Sequence, residues 1–222
     1  MITPLDFDWD DTLIATAVRD TQPRARIYRP RHVAVVLGRG SQPELEVDIE
    51  AVQNDHVPLL KRRGGGCSVV IDTGNVIVSA ALPLPGFGGI TRAFSRISEW
   101  VIDALDRAGI HGVFQAGISD LVLGDRKIGG ACIYRTRGLL YYSTTLLFQP
   151  SLDLVERYLR HPPREPAYRG GRTHQEFMGS LASSARHVDV ESFTEEIGEA
   201  LSGTVRTLLD LESSFNKREV LA

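Results

Sequence analysis

Between Leu121 and Phe148 the chain passes through three apolar segments separated by two short polar turns, Gly124-Asp125 and Thr136-Arg137-Gly138. Leu121-Val122-Leu123 comes first, Lys127 to Arg135 returns, and Leu139 to Phe148 completes the set. β-Branched and aromatic content at hairpin spacing reads as a meander of three antiparallel strands. Upstream, Ile90 to Ala108 places Phe94, Ile97, Val101, Ile102 and Leu105 on one helical stripe, and Gly109 follows where a helix commonly stops.

The rest of the chain alternates between both kinds of element. Phe7 to Val18 has helical apolar spacing with acids in its first turn, and Ala25 to Tyr28 alternates like a strand. Val33 to Leu37 reads as a buried strand feeding the Gly38-Arg39-Gly40 loop, and Leu45 to Gln53 as a short solvent-facing helix. Leu59-Leu60 leads to a glycine run, after which Val69 to Leu82 is strand, interrupted at Asp72-Thr73-Gly74-Asn75 and ended by Pro83, Pro85 and Gly86 to Gly89. Val113 to Ala116 is a short strand. Helices are expected over Ser151 to Arg160, Thr173 to Leu181 and Ser192 to Leu211, with a proline-rich connector at Pro162 to Pro166. No internal repeat or interdomain linker interrupts the pattern, so a single domain is expected over the 222 residues.

Composition narrows the function classes. Hydrophobic residues make up 42% and aromatics 7%, the balance of an ordinary globular protein. A formal charge of −3 argues against a general polyanion binder, so no nucleic-acid partner is expected and any anion site is a local cluster. The acidic N-terminus lacks the pattern of a signal peptide, and no apolar window is long enough to span a bilayer. Two cysteines, Cys67 and Cys132, make no disulfide framework. A cytoplasmic protein without membrane association is the expectation.

Two stretches stand out as candidate chemistry. Arg62-Arg63-Gly64-Gly65-Gly66 joins two cations to three glycines before a β-branched strand. Glycine costs about 0.5–1 kcal/mol in a regular element, so the triplet needs a reason. Either its bare backbone approaches an anionic ligand with an arginine assisting, or it is a flexible surface loop. Lys127 stands at the entrance of a strand whose inner positions include Gly129 and Gly130, and glycine in a strand often marks close approach of a ligand or backbone. It reads as a charge-stabilising lysine or as a solvated turn residue, whereas Arg135 and Arg137 read as a solvated hairpin end. His32, His56, His111, His161, His174 and His187 are scattered without ligand spacing, so no metal site is expected.

In order, Val36-Leu37-Gly38-Arg39, then Arg62-Arg63 with the glycine triplet and Asp72-Thr73-Gly74-Asn75, then Ser119-Asp120-Leu121-Val122 and Lys127-Ile128-Gly129-Gly130-Ala131, resemble the lipoate–protein ligase A family. That family belongs to the biotin/lipoate ligase and octanoyltransferase superfamily. The likeness covers Ile27 to Leu159 and, more weakly, Arg172-Thr173-His174. It implies an α/β catalytic domain of biotin/lipoate protein ligase type, with a mixed, largely antiparallel sheet flanked by helices. By the same resemblance Lys127 is the family's catalytic lysine, and Arg63 with Gly64, Gly65 and Gly66 is its ligand loop. Asp120, Gly129, Gly130 and the Thr145 hydroxyl accompany the lysine strand, and Asp72 and Asn75 occupy the family's polar turn.

The chain also departs from that pattern. Ile71 stands where the family usually has a histidine, the interval from Gly64 to Asp72 is one residue long for the family, and Ser143-Thr144 replaces a usual His-Gly. Neither Cys67 nor Cys132 lies where the related octanoyltransferases carry their nucleophile, although either thiol could face a shared pocket or be a small buried apolar residue.

The resemblance therefore implies transfer of a lipoyl or octanoyl group, through its adenylate, to a lysine of a lipoyl carrier domain. ATP would serve as substrate, with Mg²⁺ arriving on its phosphates. An ATP-independent transferase between carrier proteins and a non-catalytic lipoate- or carrier-binding module are the alternatives. The chain after the meander suffices for the closing helices, so the family's small C-terminal accessory domain is expected to be absent, with a separate subunit supplying it or with weakened adenylation.

Overall fold

The computed structural model describes residues 3–84, 90–136, 138–185 and 189–209. In chain order its elements are β1 (Leu5–Asp6), α1 (Asp11–Asp20), β2 (Arg24–Tyr28), β3 (Ala34–Leu37), α2 (Pro43–Glu46), α3 (Ile49–Asn54), β4 (Leu59–Lys61), β5 (Val69–Ile71) and β6 (Asn75–Pro83). There follow α4 (Ile90–Arg107), β7 (Val113–Ala116), β8 (Asp120–Leu123), β9 (Arg126–Thr136), β10 (Leu139–Leu147), α5 (Leu152–Tyr158), α6 (His174–Phe177) and α7 (Val190–Ser202).

The strands divide between two sheets. The larger, β2-β6-β10-β9-β8-β7, is antiparallel at every pairing, and its last three steps contain the expected meander. The smaller, β1-β4-β3-β5, holds the parallel pairs, β4 lying parallel to both β1 and β3. The mixed character expected of one sheet is therefore distributed over two.

Alternation along β10 and β6 sets the two faces of the large sheet. Leu140, Tyr142 and Leu146, with Val76, Val78, Ala80 and Leu82, pack on Phe94, Ile97, Val101 and Leu105 of α4 and on Phe193, Ile197 and Leu201 of α7. Phe94 meets the Tyr142 ring edge-on at 5.5 Å, and Phe148 stacks on Phe193 at 4.6 Å. Each such buried side chain contributes about 1.5–3 kcal/mol relative to exposure. On the opposite face Ile77 meets Val36, Leu60 and Ile71 of the small sheet, and Ala81 with Leu139 meets Ala17 of α1. Tyr141, Ser143 and Thr145 share that second face, and a cavity opens between the sheets there.

The β5–β6 turn carries the chain from one sheet to the other. Asp72 accepts hydrogen bonds from the Gly74 amide at 2.7 Å, the Asn75 amide group at 2.9 Å and the Ser151 amide at 2.8 Å. Gly74 is required, since a Cβ there would lie 1.9 Å from the Gln149 carbonyl oxygen.

Several expected elements are adjusted. The first helix begins at Asp11, leaving Asp10 buried ahead of it at 2% exposure. The predicted solvent-facing helix over Leu45 to Gln53 is two short helices broken at Val47-Asp48. Val47 extends to pair with Leu159, Asp48 caps α3, and Glu46 is buried. Thr173 opens α6 with a reciprocal capping box to Glu176, but the helix ends at Phe177 because Met178 pairs with Lys127 and the Gly179 amide donates to the Lys127 carbonyl. The last helix runs Val190–Ser202 from an Asp189 cap. The expectations at Pro85 to Gly89, Arg137 and His187, and for the helix end beyond Leu209, lie outside the described residues.

Candidate active site

The cavity between the sheets has a volume of about 1150 Å³ and is lined from β9, β10, the glycine run, α1 and the segment around Tyr168. Lys127 is part of its lining. The β8–β9 ladder pairs Leu121 with Gly129 but Val122 with Lys127, so Ile128 is an extra residue, a bulge of the kind that re-aims a neighbouring side chain. Ile128 packs into the helix-side core while Lys127 turns to the cavity. Its ammonium lies 2.7 Å from the Asp120 carboxylate, whose other oxygen accepts from the Tyr168 hydroxyl at 2.8 Å. Burial first, and then the bond to Asp120, pushes the Tyr168 phenol up.

Glycine at 130 makes this placement possible. A Cβ there would stand 3.0 Å from Lys127 Cε and 3.1 Å from Nζ. Gly130 pairs with Asp120 on one side and Thr145 on the other, so the three share one row of the sheet. Gly129 points to the other face, where a Cβ would lie 3.3 Å from Leu121 Cβ, and its lack of a side chain serves packing.

The glycine run forms the opposite wall, and its members have different reasons to be glycine. Gly64 rests on β9, where a Cβ would meet Cys132 Sγ at 2.8 Å. Gly66 adopts φ +95°, and its carbonyl oxygen lies 1.9 Å from where a Gly38 Cβ would be. Gly65 has open space around it and is free for close approach of a ligand. Arg62 is the loop's brace, donating to the carbonyls of Val36 at 3.2 Å, Gly65 at 2.9 Å and Cys67 at 2.8 Å. Arg63 stands exposed at the rim with a guanidinium nitrogen 3.5 Å from Asp11. Glu46 anchors the far end of the run, accepting from the Ser68 amide at 2.6 Å and hydroxyl at 2.7 Å and from Ser41 at 2.8 Å. Burial works to raise its carboxyl, and the Ser68 and Ser41 bonds hold it below the usual value.

Both cysteines border the cavity, and burial is the leading cause that pushes each thiol up. A thiol nucleophile needs the opposite shift. Asp72 and Asn75 do not line the cavity; both are spent on the β5–β6 turn. Lys127, Asp120, Gly130, Thr145, Arg63, the glycine triplet and the two thiols are thus brought together, while Asp72, Asn75 and Gly129 are not.

Other lining residues carry no local motif. Arg169 is 4% exposed, lies over the Phe177 ring at 4.9 Å, and has an Nη2 without a hydrogen-bond partner among the described residues. Burial lowers its pKa, and burial followed by the charge of Arg169 lowers that of His174. Asp10 accepts from Ser79 at 2.6 Å, Tyr141 at 2.7 Å and Tyr28 at 3.1 Å. The only signal for these in the sequence was the weak likeness around His174; the burial of Asp10 arises from tertiary packing. Among the described residues no group of three or more His, Cys, Asp or Glu side chains converges as a metal site, and no helix is long and apolar enough to cross a membrane.

The fold is an α/β domain whose cavity has Lys127 in one wall and a glycine-rich loop in another. The chain belongs to the lipoyl protein ligase A/B catalytic domain family, whose profile matches residues 4–202. A lipoate–protein ligase of Streptococcus pyogenes is 26% identical over 165 residues, covering 72% of this chain and 48% of its own. The chain spans about half the length of the curated relatives it matches. Among solved structures, a bi-partite lipoate protein ligase of Thermoplasma acidophilum, described with its E2 lipoyl domain, superposes with TM-score 0.73 at 21% identity, covering 91% of this chain and 80% of that one. A lipoate–protein ligase A bound with ATP gives 0.71 at 20%, covering 86% and 78%.

Proposed function

We propose that this domain activates lipoate or octanoate with ATP and passes the acyl group to a lysine of a lipoyl carrier domain. The observation that carries the reading is the Lys127 ammonium, 2.7 Å from Asp120 and seated over Gly130 in the wall of a cavity of about 1150 Å³. The names of the family and its relatives support lipoate, and the ATP-bound neighbour supports ATP.

In the first half-reaction a carboxylate oxygen of the acid attacks the α-phosphorus of ATP and pyrophosphate leaves. Mg²⁺ enters with the phosphates as part of that substrate. In the second, the carrier lysine's amine attacks the acyl carbonyl, AMP leaves, and the amine's proton passes to solvent. Lys127 holds the carboxylate and then the carbonyl and phosphate oxygens of the mixed anhydride, where negative charge accumulates. Gly65 lets the backbone approach the same group, and Thr145 offers a hydroxyl from the adjoining row. Arg63 is placed at the rim for phosphate once it releases Asp11, and Arg169 adds a buried positive charge to the wall. The protein's share is alignment of two anions and exclusion of water from a reactive anhydride.

The raised thiols weigh against a cysteine thioester, and therefore against the ATP-independent transferase. The Thermoplasma likeness extends the proposal to a second chain that assists adenylation. The test is mass spectrometry of an apo lipoyl domain after incubation with the protein and lipoate or octanoate, with and without ATP. Acyl-lysine should form only with ATP and fall at least 100-fold in Lys127→Ala. Product without ATP, or unchanged turnover in Lys127→Ala, would sink this mechanism.

A further inference from the structure

The face of the cavity beyond Lys127 contains a buried polar network that an alkyl chain does not need. Asp10, 2% exposed, receives the hydroxyl protons of Ser79, Tyr141 and Tyr28, and Arg26 stands 3.4 Å from its other oxygen. A carboxylate can only accept, so these donors have their direction imposed on them. Ser79, having given its single proton to Asp10, can only accept in its 3.1 Å contact with Ser143. Ser143 must therefore donate to Ser79. What the half-buried Ser143 has left for the cavity it lines is a lone pair.

The spacing relates this acceptor to the reacting end. Lys127 Nζ sits over Gly130, which pairs with Thr145, and Ser143 is two residues further along β10. At about 3.4 Å per residue the acceptor lies about 7 Å from the lysine row. An extended chain advances about 1.2 Å per bond, which brings its sixth or seventh carbon to that position.

We infer that Ser143 is a specificity-determining residue that accepts a hydrogen bond from the distal part of the ligand. The site accordingly selects a medium-chain carboxylic acid bearing an O–H, N–H or S–H donor near its sixth carbon over a plain alkyl acid. This rests on the reading above that the carboxylate is held at Lys127. The physical basis is an asymmetry: a buried acceptor left unpaired by an alkyl chain loses its hydrogen bond to water, whereas a donor-bearing ligand replaces it.

The test measures the affinities of octanoate and 6-hydroxyoctanoate by titration calorimetry, with lipoate and dihydrolipoate as a second pair differing in their S–H donors. The wild-type protein should bind 6-hydroxyoctanoate about five- to tenfold more tightly than octanoate. Ser143→Ala should abolish or invert that ratio. Asp10→Asn, which can donate to Ser79 and so release the Ser143 proton toward the cavity, should bring the ratio toward one. Equal or weaker binding of the hydroxy acid to wild type, or a preference that survives Ser143→Ala, overturns the inference while leaving the ligase reading intact. If neither acid binds, the ligase reading fails and this inference falls with it.

Discussion

Replacing Gly130 by alanine is expected to separate the stability of the fold from the chemistry of its cavity. The new Cβ would lie 3.0 Å from Lys127 Cε and 3.1 Å from Nζ, against about 3.5–4.0 Å for a relaxed carbon contact. The nearest obstacle is the end of a lysine whose side chain is 25% exposed, so the backbone stays and the ammonium moves. The lost ion pair with Asp120 costs about 1 kcal/mol at most, and a displaced rotamer about 0.5–1.5 kcal/mol. Removing glycine's freedom in the unfolded chain returns about 0.4–1 kcal/mol. The net destabilisation is therefore at most about 2 kcal/mol. Chemistry is less forgiving, because a displacement of about 1 Å in a reacting group costs on the order of 100-fold. Thermal melts run beside an assay of pyrophosphate release with lipoate and ATP give both quantities. Activity within twofold of wild type, or a melting temperature that collapses along with activity, would refute the account of why this position is glycine.

The structure makes further predictions. Gly74→Ala drives a Cβ into a backbone carbonyl, at 1.9 Å from the Gln149 oxygen, and should cost about 3 kcal/mol in urea unfolding; Gly65→Ala, with open space around it, should change stability by less than about 1 kcal/mol. His174 has a lowered folded pKa, so its proton binds the unfolded chain more readily, and stability is full above the unfolded value of about 6.5 and declines as pH falls below it. His174→Gln should flatten that decline in melting temperature between about pH 7 and pH 5. Cys67→Ala and Cys132→Ala should each keep at least about half of the ligase activity, and intact-mass spectra of the wild type should contain no acyl-thioester.

Much of the frame was legible in the residues because local signals and packing agree. The meander's strands and the α4 stripe with Gly109 at φ +78° appear where periodicity and turn chemistry put them, whereas Lys127 reaches the cavity through the bulge at Ile128. Glycine spacing marked close approaches, but at these positions the neighbour is protein, the Lys127 side chain at Gly130 included. Gly129 contacts Leu121, Gly64 contacts Cys132, and Asp72 serves a turn rather than a ligand. Glu46 falls in a segment expected to face solvent and Asp10 among the acids of an expected first helical turn, yet both are buried, and the partners that explain this are mostly far away in the chain. Those partners, Ser68 and Tyr141, lie 22 and 131 residues away. Long-range hydrogen bonds of this kind leave no trace in local periodicity.

The bulge at Ile128 has a consequence for insertions and deletions. Lys127 stands three positions before Gly130, an odd separation that in an unbroken strand would turn it into the helix-packed core. The single extra residue corrects the parity. Deleting Ile128 would leave the lysine on the cavity face while removing an apolar side chain from the core; inserting one more residue would make the separation four, which keeps the lysine on the cavity face only if the bulge is given up. Between Lys127 and Gly130 the chain can therefore change length only where the two-residue period still delivers the lysine to the cavity.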